Sequence, residues 1–267
     1  MANVARTTAL ADPMIALAGG TFLMGSDRHY PEEAPAHRVS VSPFRIDATP
    51  VTNAQFRAFV TATGHVTQAE IAPKAEDYPG ARPEMLKAGS LTFRPPSGRV
   101  SLSQPLSWWD LTFGANWRRP YGKGSDLRDL DQHPVVHVAY ADALAYAVWA
   151  GKDLPTEAEW EFAARGGLED AEYAWGSELT PGGRHMANTW QGAFPVHNLR
   201  EDGYARTSPV RAFPPNGYGI FDMIGNVWEW TKDWYLPRHE AEVGKACCVP
   251  SNPRGPREHD SYDRSEE

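Results

Sequence analysis

Cysteine is nearly absent: the 267 residues contain two, Cys247 and Cys248, and they are adjacent, so no disulfide framework supports the fold. No apolar run approaches membrane-spanning length, so no membrane partner is expected. The N-terminal MANVARTTALADPM lacks a sustained apolar segment and does not read as a secretory signal, which makes a cytoplasmic location the default expectation. Positive charge is short as well. A net charge of −8 leaves no electrostatic footprint for nucleic acid. No period repeats along the chain, which excludes a solenoid.

What is abundant points the other way. Gly and Pro number 23 each and tryptophan ten, which favours a loop-rich architecture held by aromatic packing over a helical bundle. Hydrophobic residues at 41% and charged residues at 22% describe an ordinary globular chain. Its length is large for one domain but allowed. Residues 1–12 read as a frayed tail, and 13–267 as one domain.

Taken in order, Met14 to Gly25 reads as a strand, a tight turn at Gly19-Gly20 and a second strand. His37 to Ile46 alternates Val39 and Val41 with polar neighbours and reads as one half-buried strand. Thr52 opens a helix with Gln55 reaching back, Phe56, Phe59 and Val60 as its apolar stripe and Gly64 as its stop. From Val66 to Asp131 periodicity disappears, and the segment is expected to be an ordered, irregular loop. Within it Trp108, Trp109 and Trp117 either form a peptide-binding wall or roof the core, and Arg118 and Arg119 could hold an acidic group.

His133 and His137 sit four apart in a strand-like segment whose Pro134 argues against a shared zinc. Asp142 is expected to start a second helix that ends at Gly151. Thr156 and Glu159 form a capping box for a third, which stops at Gly166-Gly167. Glu157, Glu159 and Glu161 read as a solvated face.

Two stretches carry the chemistry. In NGYGIFDMIGNVWEWTKDW (216–234), Asp222, the Gly225-Asn226 corner and Glu229 interrupt an apolar run, and Trp228, Trp230 and Trp234 follow at even spacing. One reading is a hard-cation site in which two carboxylates are joined by the carbonyls between them. The other is a hairpin with a buried aromatic face and two solvated acids. In NTWQGAFPVHNLREDGY (188–204), the Asn188 and Asp202 side chains with nearby carbonyls could form a second cage.

Together GGTFLMGS (19–26), EAPAHRVSVSPFRIDATPVTNAQF (33–56), GANWRRP (114–120), HPVVHV (133–138), WAGKDLPTEAEWEFAARGG (149–167), NTWQG (188–192) and the 216–234 stretch closely resemble the formylglycine-generating enzymes, also called sulfatase-modifying factors. The likeness runs from about Met14 onward. It implies an α+β, C-type-lectin-like fold, low in regular secondary structure and stabilised by calcium. One calcium site is implied at the Asn188 and Asp202 side chains with the carbonyls of Thr189 and Tyr204. The other is implied at the Asp222 and Glu229 side chains with the carbonyls of Gly225 and Val227. Glu70, Trp108 and Arg118 fall in segments that line the peptide groove of relatives. The implied reaction oxidises the Cys of a Cys-x-Pro-x-Arg segment in an unfolded sulfatase to Cα-formylglycine with O2, on copper held by two cysteines. A monomer is expected.

The chain departs from that pattern at its end. The catalytic cysteines of relatives lie downstream of a Cys-Cys-Val-Pro and Asn-Pro-Arg-Gly stretch, and here the sequence stops shortly after it. Cys247 and Cys248 match a different family position, and neighbouring thiols do not easily span one copper linearly, so no catalytic residue is assigned. The sequence is therefore expected to be a C-terminally incomplete member without Cys-oxidising activity, with an unpaired strand edge near Met14–Gly25. Two other readings compete with this one. The first is a non-catalytic peptide-binding module of the same fold. The second is a different oxidoreductase on the scaffold, which is weakened because neither metal-binding histidines nor an extra helical domain is found.

Overall fold

The computed structural model describes residues 13–236 and 249–261. The N-terminal tail (1–12) and both cysteines therefore lie outside the described residues. Strands β1 (Ile15–Leu17) and β2 (Gly20–Met24) flank the Gly19 turn but do not pair with each other. The expected single strand at 37–46 is two, β3 (His37–Val41) and β4 (Phe44–Ile46), because Pro43 lacks the N–H a continuing ladder needs. β2 pairs antiparallel with β3, and β1 with β4, so one break lets two adjacent segments serve two sheets. Among the described residues β1 and β2 each have a strand partner on one side only.

His37, Val39 and Val41 alternate inward on β3. With Leu17, Phe22 and Met24 they meet Ala158, Phe162, Ala163 and Ala164 of helix α3 (Glu157–Arg165), together with Ile220 and Met223. The capping box that Thr156 and Glu159 make at the start of α3 is present, and Gly166 ends the helix in the left-handed region. Of the expected solvated glutamate face, Glu157 stays exposed, whereas Glu159 and Glu161 are partly buried. Glu159 accepts the Thr156 N–H (2.8 Å), and Glu161 accepts the Gly25 N–H (2.9 Å) and pairs with Arg165. Burial, helped by the neighbouring Glu161 and Asp233 charges, pushes the Glu157 carboxyl up. The small residues Ala158, Ala163 and Ala164 let α3 lie close on the sheet, which draws the glutamates between them into partly buried ground.

A second core forms around helix α1 (Asn53–Thr63), with the capping box and glycine stop expected of it. Phe56, Phe59 and Val60 pack on the fully buried Trp117 and on Tyr146 and Trp149 of helix α2 (Tyr140–Trp149). Each such buried aromatic contributes about 2–3 kcal/mol of transfer free energy. α2 begins two residues before Asp142, whose carboxylate reaches back to the Ala139 N–H (2.9 Å) and also accepts from His65 (2.8 Å).

The segment expected to be wholly irregular contains a hairpin, β5 (Gly89–Phe93) with β6 (Trp109–Phe113), in which Leu91 faces Leu111 and Phe93 faces Trp109. Far along the chain, Ser40 of β3 bridges in parallel to Ser251 through Ser40 N–H to Pro250 O (2.8 Å) and Asn252 N–H to Ser40 O (2.7 Å). The expected α+β, loop-rich organisation is what the chain adopts. Among the described residues no helix is long and apolar enough to cross a membrane.

Candidate functional site

Of the residues expected to face a peptide, Glu70 and Arg118 meet on the β5 side of the molecule. Glu70 ends a short 3-10 turn (Gln68–Glu70) that packs on β5. Its Oε2 accepts from the Thr67 N–H (3.1 Å) and hydroxyl (2.9 Å), and its Oε1 faces Arg118 Nε at 3.4 Å. Burial alone would raise the Glu70 carboxyl, but the Thr67 hydrogen bonds and the Arg118 charge outweigh it and hold the group below the usual carboxylate range. The Arg118 guanidinium lies over the Trp117 ring at 4.3 Å with about half its side chain open to solvent.

Of the three tryptophans weighed as a wall, Trp117 and Trp108 are buried, the latter edge-on to Phe194 at 5.3 Å. Trp109 is the one that reaches solvent. Trp108 and Trp117 thus roof the core, and the surface open to a ligand here is Arg118, Arg119 and Trp109.

The two histidines go to separate partners. His133 Nδ1 meets Thr207 Oγ1 (3.0 Å). His137 Nε2 donates to Pro120 O (2.8 Å) and its Nδ1 meets Ser90 Oγ (2.9 Å). Burial holds His137 below the usual imidazole range, partly offset by the Pro120 bond. Its folded-state pKa therefore lies below its unfolded one, so the stability it contributes is present above about pH 6.5 and is lost as pH falls through the folded value. A His137→Gln chain should show a shallower loss of denaturation midpoint between neutral pH and pH 5 than the parent. Parallel slopes would contradict this.

The first oxygen-rich corner brings Asn188, Thr189, Asp202 and Tyr204 together. The Asp202 carboxylate accepts from the N–H of Thr189 (3.2 Å) and of Tyr204 (2.9 Å). Asn188 Nδ2 donates to Arg206 O (2.7 Å), and Thr189 O accepts from the Gln191 amide. One carboxylate, one amide oxygen and several carbonyls within a tight loop form a hard-donor set that suits calcium.

The second corner brings together Asp222, Gly225, Asn226 and Glu229. Asp222 Oδ2 accepts the Arg211 N–H (2.9 Å) and Oδ1 accepts from Asn226 Nδ2 (3.3 Å). Glu229 Oε2 accepts from Trp160 Nε1 (3.1 Å). Glu229 as a whole keeps an exposed edge, while its carboxyl group is packed among protein atoms. Burial, opposed by the Trp160 bond and reinforced by the Asp222 charge, pushes it up to about 7; burial also raises Asp222. Two carboxylates raised by burial, one of them further by its neighbour's charge, are the arrangement a bound cation relieves, so the donor set fits calcium.

Beyond this corner the aromatic face expected to be buried is open: Trp228 is fully exposed and Trp230 and Trp234 are half exposed. Trp230 Nε1 donates to Val138 O (3.1 Å). Beneath the segment lies a cavity of about 650 Å³, lined by Val135, Val138, Phe221, Val227 and the Asp47–Lys152 ion pair (2.6 Å).

Sequence reading places Asn226 only in a turn. Its side chain in fact ties two loops together, accepting from Ser208 N–H (3.0 Å) and donating to Ser208 O (3.2 Å). The Gly-Asn pair signals the corner, but nothing local signals the distant partner.

A family model described as "Sulfatase-modifying factor enzyme 1-like domain" matches residues 2–257. A protein of Mycobacterium tuberculosis named formylglycine-generating enzyme is 54% identical over 89% of this chain and 79% of its own. A mouse protein named inactive C-alpha-formylglycine-generating enzyme 2 is 45% identical over 85% of this chain and 70% of its own. Among solved structures, PvdO from Pseudomonas aeruginosa aligns over 91% of this chain and 80% of that one, with a TM-score of 0.54 and 26% identity.

Proposed function

The chain belongs to the sulfatase-modifying factor family, and from that premise we propose that its scaffold serves sulfatase activation, holding an extended Cys-x-Pro-x-Arg segment whose Cys becomes Cα-formylglycine with O2. The observation that carries this reading is the 54% identity to a protein named formylglycine-generating enzyme. In that conversion the thiol-bearing carbon gives up two electrons to become an aldehyde and its sulfur leaves as sulfide. Full reduction of O2 takes four, so a thiol co-reductant supplies the rest.

The peptide-holding part falls to the surface around Arg118. Glu70 stays ionised and steers the guanidinium, which stacks on the buried Trp117 and leaves about half the Arg118 side chain open to solvent. Arg118→Ala should weaken binding of a labelled Cys-x-Pro-x-Arg peptide roughly tenfold, the worth of one charge-assisted hydrogen bond. Unchanged anisotropy titrations would place the peptide elsewhere.

Calcium at both corners belongs to the same proposal. The ion would be held by Asn188, Asp202 and the Thr189 and Tyr204 carbonyls in one, and by Asp222, Glu229 and the Gly225 and Val227 carbonyls in the other. There it would neutralise carboxylates and fix loop shape. Copper would be held, by family resemblance, on a pair of cysteines. The sequence's two cysteines are adjacent and lie outside the described residues.

The 267-residue polypeptide, given copper, a thiol and a Cys-x-Pro-x-Arg peptide in air, should therefore bind the peptide without making aldehyde. Hydrazide-reactive product above a metal-free control would overturn the inactivity. No binding would overturn the peptide-holding role. Binding without turnover also fits a non-catalytic peptide-binding module, a reading that the mouse relative named inactive favours.

A further inference from the structure

We propose that the two corners form one coupled cation unit, joined through Gly225 and Asn226, in which filling either corner tightens the other. The proposal rests on the calcium reading above and deepens it.

The coupling is visible in who holds whom. The Asn226 N–H donates to Asn188 O (2.9 Å), so its backbone fixes the residue that opens the first corner. Its side chain donates to Asp222 Oδ1 (3.3 Å), so the same residue aims a carboxylate of the second. Gly225, whose carbonyl belongs to the second corner, lies so close to the first that an added Cβ would stand 2.2 Å from Asn188 O. A third tie closes the loop. Asn188 Nδ2 holds Arg206 O, and two residues on, Ser208 exchanges two hydrogen bonds with the Asn226 amide.

Asn226 keeps a left-handed backbone, φ 61°, as does Asp222 at φ 58°. Such conformations persist only where the surroundings hold them. A cation on Asn188, Thr189 and Asp202 stiffens the strand of contacts that orients Asn226, and with it Asp222. The second ion then meets a loop already ordered and gives up less conformational entropy on binding. By linkage the effect runs equally in both directions.

The test is calorimetric titration of calcium into the full chain. Asp202→Ala disables the first corner and Glu229→Gln the second, so each variant reads the affinity of the other. Loss of one corner should weaken the survivor about fivefold or more. The factor should be equal in the two directions and should fall to about one in an Asn226→Ala background. Two ions binding with affinities indifferent to the other corner would overturn the coupling while leaving the calcium reading intact. No calcium uptake by the parent chain would overturn both.

Should Asn226→Ala fail to fold, hydrogen exchange on the Glu229→Gln chain decides. Calcium in the first corner should slow exchange at the Asn226 and Ser208 amides, and unchanged rates there would sink the proposal.

Discussion

Gly225→Ala should destabilise the chain by about 3–4 kcal/mol, read as a shift in urea midpoint with the slope unchanged. Two effects add. The residue sits at φ +75°, where an L side chain costs about 1–2 kcal/mol. The new methyl would also meet Asn188 O at 2.2 Å and Asn188 C at 3.0 Å, both backbone atoms that cannot swing aside. Gly114 supplies the control, since at φ +78° an added methyl has nothing within 4 Å of it, so alanine there should show the conformational cost alone. If the two alanine variants lose the same stability, the close approach of the corners is not real. Because the clash falls on the residue that opens the first corner, Gly225→Ala should weaken calcium uptake as well, and Gly114→Ala should not.

Stripping calcium with a chelator should lower the melting temperature by about 5–10 °C for each corner that empties, about 10–20 °C for both. An ion at one hundred times its dissociation constant adds about 2.7 kcal/mol. In a chain of this size each kcal/mol moves the midpoint by about 2–4 °C. The sign follows from the second corner. Without an ion, burial pushes both Asp222 and Glu229 toward their protonated forms, whereas calcium would favour the ionised pair. Magnesium should recover little of the lost stability, because it demands a near-ideal octahedron and parts reluctantly with its water. Superimposable melting curves with and without calcium would remove the structural role assigned to the ion.

What could be read beforehand was what short-range chemistry decides. Helices α1 and α3 announce themselves through Thr52 with Gln55 and Thr156 with Glu159, because a capping box is completed within one turn. The β5–β6 hairpin gives no such sign. Its strands are separated by a Pro- and Ser-containing loop, and Leu91, Trp109, Leu111 and Phe113 point outward, which defeats a rule that places apolar side chains inside. Even spacing of Trp228, Trp230 and Trp234 says that they share a face. It does not say that a surface exists to cover that face, since cover is a property of distant residues. The carboxylates Asp222 and Glu229 were legible as a pair from spacing. Asn188 and Asp202 were legible mainly through family likeness, and Asn226 as a bridge was not, because Ser208 and Asn188 reach it only once the loops have folded back.

The parallel bridge between Ser40 and Ser251 joins residues 211 positions apart, and Asn252 reinforces it by accepting the Ser42 N–H at 2.7 Å. During synthesis the early strand must therefore wait, with one side unfinished, until the chain has been made through Asn252. Throughput in a cell should then depend on how well that waiting edge is shielded, which makes chaperone supply a lever on yield that leaves the finished molecule unchanged.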